Sequence, residues 1–136
     1  MIKNKREITE HSFIVPIFNQ NINIIIGKHN KVKSWLRSQD VKLNDFDSAD
    51  AACFGVCDSI YLWFEPNPTI DIVAHEVAHS VFAIMKSRGL DIEDEELFCY
   101  LQEFIINNVL QCVKVTLPTV MDPINQKSKQ VVEHQS

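Results

Sequence analysis

The run HEVAH at residues 75–79 combines side chains and a spacing that are suited to metal-assisted hydrolysis. Residues four apart on an α-helix share a face, so His75 and His79 can direct two imidazoles at one point. Glu76 is rotated from His75 by about 100°, which keeps its carboxylate off the metal but within reach of a water. This order is typical of zinc sites in which a glutamate takes a proton from zinc-activated water. We therefore predict one Zn²⁺ per chain, held by His75 and His79, with Glu76 as general base.

A third protein ligand must come from elsewhere in the chain, because catalytic zinc takes three protein ligands and keeps one position for water. The longer motif H-E-x-x-H-x-x-G-x-x-H is excluded, since Phe82 and Met85 stand at its glycine and third histidine. No histidine follows until His134, whereas residues 93–96 are all acidic. A glutamate is the simplest third ligand. The alternative for Glu93, Asp94 and Glu95 is that they cap the next helix, where carboxylates favour the helix dipole.

The two motifs together resemble the minimal gluzincins, in particular small metallopeptidases encoded in bacteriophage genomes, whose second motif reads E-x-x-A-Y. Here that motif is Glu96-Leu97-Phe98-Cys99-Tyr100, with Cys99 at the usual alanine. The resemblance covers about residues 21–108. It implies that Glu96 is the third zinc ligand and that Tyr100 is a catalytic residue, either beside a zinc ligand or near the oxyanion. The alternative for Tyr100 is a half-buried aromatic that only packs. It also implies that residues 59–64 form an edge strand that pairs with extended substrate.

The function that this resemblance implies is that of a zinc-dependent metallopeptidase acting on a peptide or protein substrate, in the host cytoplasm if the chain is phage-encoded. The alternative from another class is a catalytically silent, zinc-stabilised phage structural or host-interaction protein. The small size of the chain favours this alternative, because few residues remain to build a specificity pocket.

Composition indicates a globular chain of 136 residues, 46% hydrophobic and 23% charged. We expect one domain over residues 1–117 and a mobile tail over residues 118–136, where apolar periodicity is lost. The net charge of −5 argues against nucleic acid as the main partner. Apolar runs are too short or too mixed to span a membrane. Four cysteines without a targeting segment favour buried free thiols in the cytoplasm.

The elements that must position the motif follow from periodicity and from turn residues. Residues 12–18 and 22–26 predict a hairpin, residues 30–36 a short helix, residues 40–55 a long connection and residues 59–64 a strand. A helix is predicted from an N-cap at Thr69 to a stop at Gly89, and a second helix from the acidic stretch to about Val113. The predicted fold class is α+β, with a small, mostly antiparallel sheet packed on a zincin-type active-site helix and a second helix. His11 and His29 are predicted to lie on the surface.

Overall fold

The computed structural model describes residues 7–43 and 46–117 and contains four strands and three α-helices. The chain runs through strands β1 and β2, helix α1, a short 3₁₀ helix, strands β3 and β4, and helices α2 and α3. Their bounds are β1 Ile8–Val15, β2 Gln20–Gly27, α1 His29–Ser38, the 3₁₀ helix Phe46–Ser48, β3 Ala51–Val56, β4 Ser59–Phe64, α2 Ile70–Ser87 and α3 Glu95–Cys112.

The sheet has the strand order β1-β2-β4-β3. The hairpins β1–β2 and β3–β4 are antiparallel, and they join through parallel pairing of β2 with β4, in which Ile24 lies opposite Leu62. Two of the three pairings are antiparallel. The predicted α+β class with a mostly antiparallel sheet is therefore confirmed.

Helices cover both faces of the two inner strands, which explains why β4 is almost wholly apolar and why β2 contains four isoleucines. Ile22, Ile24 and Leu62 face the core under α2 and α3, whereas Ile25 and Trp63 face the core under α1. The Trp63 indole N–H donates to the Gly27 carbonyl at 2.9 Å, so its buried polar atom is satisfied. The sheet thus lies between α1 on one face and α2 and α3 on the other.

The helix that carries HEVAH begins and ends where the sequence predicts. Thr69 is the N-cap of α2, although its side chain makes no capping hydrogen bond. At the other end Gly89 adopts φ +65°, and its N–H donates to the Lys86 carbonyl. The Leu90 N–H donates to the Met85 carbonyl at 2.8 Å. These two bonds form a Schellman motif, which ends α2 and turns the chain toward α3.

Helix α3 starts at the predicted acidic stretch. The Asp94 carboxylate accepts a hydrogen bond from the Leu97 N–H at 3.1 Å, and Glu95 and Glu96 lie in the first turn. The far end of α3 returns to the start of α2, where the Ile70 N–H donates to the Thr116 carbonyl at 3.1 Å. The two helices are therefore antiparallel neighbours.

Three predictions about the strands need correction. The amino-terminal hairpin is present, but its strands pair Ile8 with Gly27 through Val15 with Gln20, so residues 16–19 form the turn, three of them within the predicted strand over residues 12–18. The region predicted as a connection over residues 40–55 contains strand β3. Residues 59–64 form an inner strand, paired on both sides, and not the predicted edge strand. Edge or inner position depends on which distant strands pair, and local sequence does not report it.

The cysteines are free, as predicted, but they are not buried as a set. Cys57 and Cys99 are exposed, and Cys53 and Cys112 are partly buried. The predicted tail over residues 118–136 lies outside the described residues. Across residues 7–43 and 46–117, none of the helices has both the length and the apolar character that crossing a membrane requires.

Candidate functional site

The two motif histidines meet on the solvent side of α2. His75 and His79 are exposed, their rings are nearly perpendicular, and their Nε2 atoms lie 3.1 Å apart. This is the consequence of i, i+4 spacing on a regular helix, which brings the two side chains over one point of its surface. The predicted pairing of the imidazoles is therefore present.

The geometry of this pair fits a zinc ion. With zinc–nitrogen distances of about 2.0–2.1 Å and tetrahedral angles, two imidazole ligands have nitrogens about 3.3–3.4 Å apart. The observed separation of 3.1 Å differs from that by only a few tenths of an ångström. Imidazole nitrogen is also among the ligand types that zinc takes most often. His75 and His79 would hold the metal through Nε2.

Glu76 lies beside the pair but is turned into the protein. It is 9% exposed and borders the two cavities that adjoin the histidines. In the described parts of the chain, its carboxylate has no hydrogen-bond partner. Every side-chain oxygen there that is fully enclosed does have a partner, so the Glu76 oxygens are not fully enclosed. The Glu76 oxygens therefore open into the cavities. Burial raises the pKa of this carboxyl, and the charges of His75 and His79 partly oppose that rise.

Strand β3 forms the other wall of the site. A groove of about 520 Å³ runs along its outer edge, with Glu76, His79 and Ala83 of α2 on one side and Leu43 and Phe46 on the other. In the described structure no strand pairs with this edge of β3. Every second residue of β3 therefore directs its N–H and C=O groups into the groove.

Sequence reasoning missed the contribution of β3 and of two acidic residues. The Cys53 thiol packs toward α2, and burial, with the nearby Glu76 charge, raises its pKa to about 12. Asp50 and Asp71 border a smaller cavity together with His75 and Glu76. A hydrogen bond from the Thr69 side chain lowers the pKa of Asp71. The apolar run between Asp50 and Asp58, followed by a strong strand, was the pattern that could have revealed β3.

The structure does not bring Glu96 to the histidine pair. Within residues 7–43 and 46–117, no group of three or more His, Cys, Asp or Glu side chains is placed to hold a metal ion. The register of the antiparallel helices explains this, because Phe82 of α2 contacts Phe98 of α3 with ring centroids 5.0 Å apart. Glu96 lies beyond that contact, so its backbone is about 7–8 Å from the level of His79 along the helix axis. Glu96 as third ligand stays a prediction.

The other residues that the sequence suggested for the site lie in α3 or directly before it. Glu93, Asp94 and Glu95 are exposed at the start of α3, where Asp94 is the N-cap, Glu95 lies in the first turn and Glu93 precedes both. Tyr100 is 39% exposed, and its ring neighbour is Phe104, at 6.5 Å, rather than either motif histidine.

The prediction that His29 lies on the surface is wrong, whereas His11 is exposed as predicted. The His29 ring stacks on Phe46 at 4.6 Å and meets the edge of Trp63. Its Nε2 lies 2.6 Å from the Phe46 carbonyl. His29 therefore fixes the 3₁₀ helix against the sheet, and it is a structural residue.

Comparison with protein-family models, with curated proteins and with solved structures finds no match to this chain.

Proposed function

We propose that this protein is a zinc-dependent metallopeptidase that hydrolyses peptide bonds in an extended substrate. The observation that carries the proposal is the pair of imidazole Nε2 atoms 3.1 Å apart, next to a largely buried glutamate whose oxygens have no hydrogen-bond partner among the described residues. The pair lies at the groove of an unpaired strand edge. A metal position, a base and a place for an extended chain are thus adjacent.

The roles of the residues follow from their positions. His75 and His79 hold the metal, and Glu96 is retained as third ligand on the strength of its motif. The chemistry that zinc supplies when bound is Lewis acidity, which polarises a carbonyl and lowers the pKa of water to about 7. Glu76 takes the proton of the attacking water and returns it to the leaving amine. Both transfers require a carboxylate beside the metal position, and Glu76 borders the two cavities that adjoin the histidines.

Strand β3 orients the substrate. Backbone groups at its outer edge accept an antiparallel or parallel peptide by β-strand addition, which requires no particular side chain. This assigns to β3 the role that the resemblance assigned to residues 59–64, since β4 has no free edge.

The deciding experiment combines zinc analysis with hydrolysis of an unstructured protein by three variants. Glu76→Gln should retain zinc and lose at least about 100-fold in hydrolysis, because general-base catalysis contributes about 10² to 10⁴ in rate. His75→Ala should lose zinc and hydrolysis together. Glu103→Gln, at an exposed glutamate of α3, is the matched control and should behave as wild type. Absence of zinc uptake by wild type, or equal hydrolysis by wild type and Glu76→Gln, would refute the proposal.

A second candidate is a zinc-stabilised binding protein without turnover. The observation that favours it is that the described residues hold two histidine donors but no third donor placed with them. Equal, negligible cleavage by wild type and Glu76→Gln, with zinc bound to both, would identify this function in place of the first.

A further inference from the structure

A row of aromatic rings crosses the sheet on the face opposite α2 and ends at its open edge. Trp35 of α1 and Tyr61 of β4 have ring centroids 6.3 Å apart. The Phe54 ring of β3 stacks on Tyr61 with centroids 5.3 Å apart and planes only 9° from parallel. Phe54 and Tyr61 are also partners in the strand register. The row therefore follows the direction in which strands are added to the sheet.

On the side of the groove next to Phe54, the described residues are apolar. Leu43, Phe46, Ala49 and Phe54 border it there, and none of these side chains carries a charge. Phe54 is half-buried, and in the described parts of the chain Tyr61 is its one ring neighbour. Ordering a charged side chain against such a wall costs desolvation without a compensating partner.

We propose that the peptide that pairs with β3 carries an aromatic or large aliphatic side chain opposite Phe54, so that it continues the row of rings. This inference rests on the proposed peptide substrate and names its class. Side chains directly opposite on adjacent strands lie about 4.5–5.5 Å apart, which is the separation at which aromatic pairs interact. An added strand must place one side chain at this position, because its residues alternate between the two faces of the sheet.

The selected residue lies close to the bond that is cleaved. Cys53 directly precedes Phe54 and faces the α2 side, where the charge of Glu76 acts on its thiol. At about 3.3 Å per residue, the side chain opposite Phe54 is within about three residues of the reacting carbonyl. Selectivity is thus expected at one fixed position near the cleaved bond.

The first test is cleavage of a peptide library by the zinc-loaded full chain, with cleavage sites identified by mass spectrometry. We expect aromatic and large aliphatic residues to be enriched about 2- to 12-fold at one position, the range that an aromatic pair contributes. Phe54→Ala should abolish this enrichment, and Phe54→Leu should shift it toward aliphatic residues. Leu110→Ala, which truncates a partly exposed apolar residue of α3, is the control and should keep it. Cleavage without a preferred position, or a preference unchanged in Phe54→Ala, would overturn the inference and leave the proposed peptidase intact.

The second test measures binding separately from hydrolysis. Zinc-loaded Glu76→Gln is titrated with capped ten-residue peptides of Thr and Ser that carry one central Phe, or Ala in its place. The Phe peptide should bind about 2- to 12-fold more tightly, and the double variant Glu76→Gln/Phe54→Ala should bind both peptides equally. If Glu76→Gln binds the Phe peptide more tightly but the wild type cleaves no peptide, hydrolysis would be refuted and the docking role of Phe54 would be supported. Equal affinity of Glu76→Gln for both peptides would overturn the inference.

Discussion

The turn between α2 and α3 allows a stability test in which two matched substitutions measure the backbone strain at residue 89. Gly89 has φ +65°, and a Cβ built there meets nothing within 4 Å. Gly89→Ala therefore introduces backbone strain and no clash, at a cost of about 1–2 kcal/mol for a left-handed residue. The matched substitution is Gly55→Ala, where φ is not positive and the nearest atom to the new Cβ is the Ser59 carbonyl oxygen, at an ordinary 3.7 Å.

Both substitutions restrict the unfolded chain in the same way, which stabilises the protein by about 0.4–1 kcal/mol wherever the folded backbone is compatible. The difference between the two variants is consequently the strain at residue 89 alone. For a domain of this size, 1–2 kcal/mol corresponds to about 4–8 °C in melting temperature. Gly55→Ala should melt at or above wild type and Gly89→Ala should melt below it.

Thermal unfolding of the metal-free proteins, followed by circular dichroism, measures this difference without interference from zinc. Gly89→Asn is a further control, because asparagine tolerates the left-handed region better than alanine and should recover part of the loss. Melting of Gly89→Ala and Gly55→Ala within about 1 °C of each other would refute the assignment of a strained, glycine-dependent turn.

Three further outcomes are expected. Zinc retention should fall in Glu96→Gln and be unchanged in Glu95→Gln, because the second motif aligns Glu96 with the metal; metal loss confined to Glu95→Gln would shift that alignment by one residue. Cys53 should react with iodoacetamide at pH 8 at least about 100-fold more slowly than the exposed Cys57, since a pKa of about 12 leaves about one Cys53 thiol in ten thousand ionised. Equal labelling of the two cysteines in a peptide map would contradict the burial of Cys53. Asp94→Ala should lower the free energy of unfolding by about 1 kcal/mol through loss of the α3 N-cap, measured in urea, and an unchanged midpoint would show that the capping bond contributes nothing.

Features encoded by neighbouring residues could be predicted from the sequence. The helix over HEVAH follows from apolar periodicity between Thr69 and Gly89, and the pairing of His75 with His79 follows from helix geometry once that helix exists. The start of α3 follows from Asp94, whose side chain acts within one turn of its own position. Each of these depends on contacts fewer than six residues apart.

Features that depend on distant contacts could not be predicted in the same way. Strand β3 is rich in alanine and contains Gly55, residue types with low strand propensity, so its pairing with β4 decides its conformation. His29 is half-buried because Phe46 and Trp63 come from other parts of the chain. The position of Glu96 relative to His75 and His79 depends on the contact of Phe82 with Phe98. Sequence spacing does not determine that contact.

The way in which the sheet is joined has a consequence for the order of folding. Each antiparallel hairpin closes over a short turn and can form locally in about 1–10 μs. The parallel pairing of β2 with β4 connects Asn21 to Ser59, 38 residues along the chain, and it must wait for a much longer segment to close. We therefore expect two hairpins that form early and a slower docking step along the β2–β4 boundary. Since α2 packs on β3 and β4, which form one hairpin, the groove and its histidines can assemble within one of these two units before the docking step.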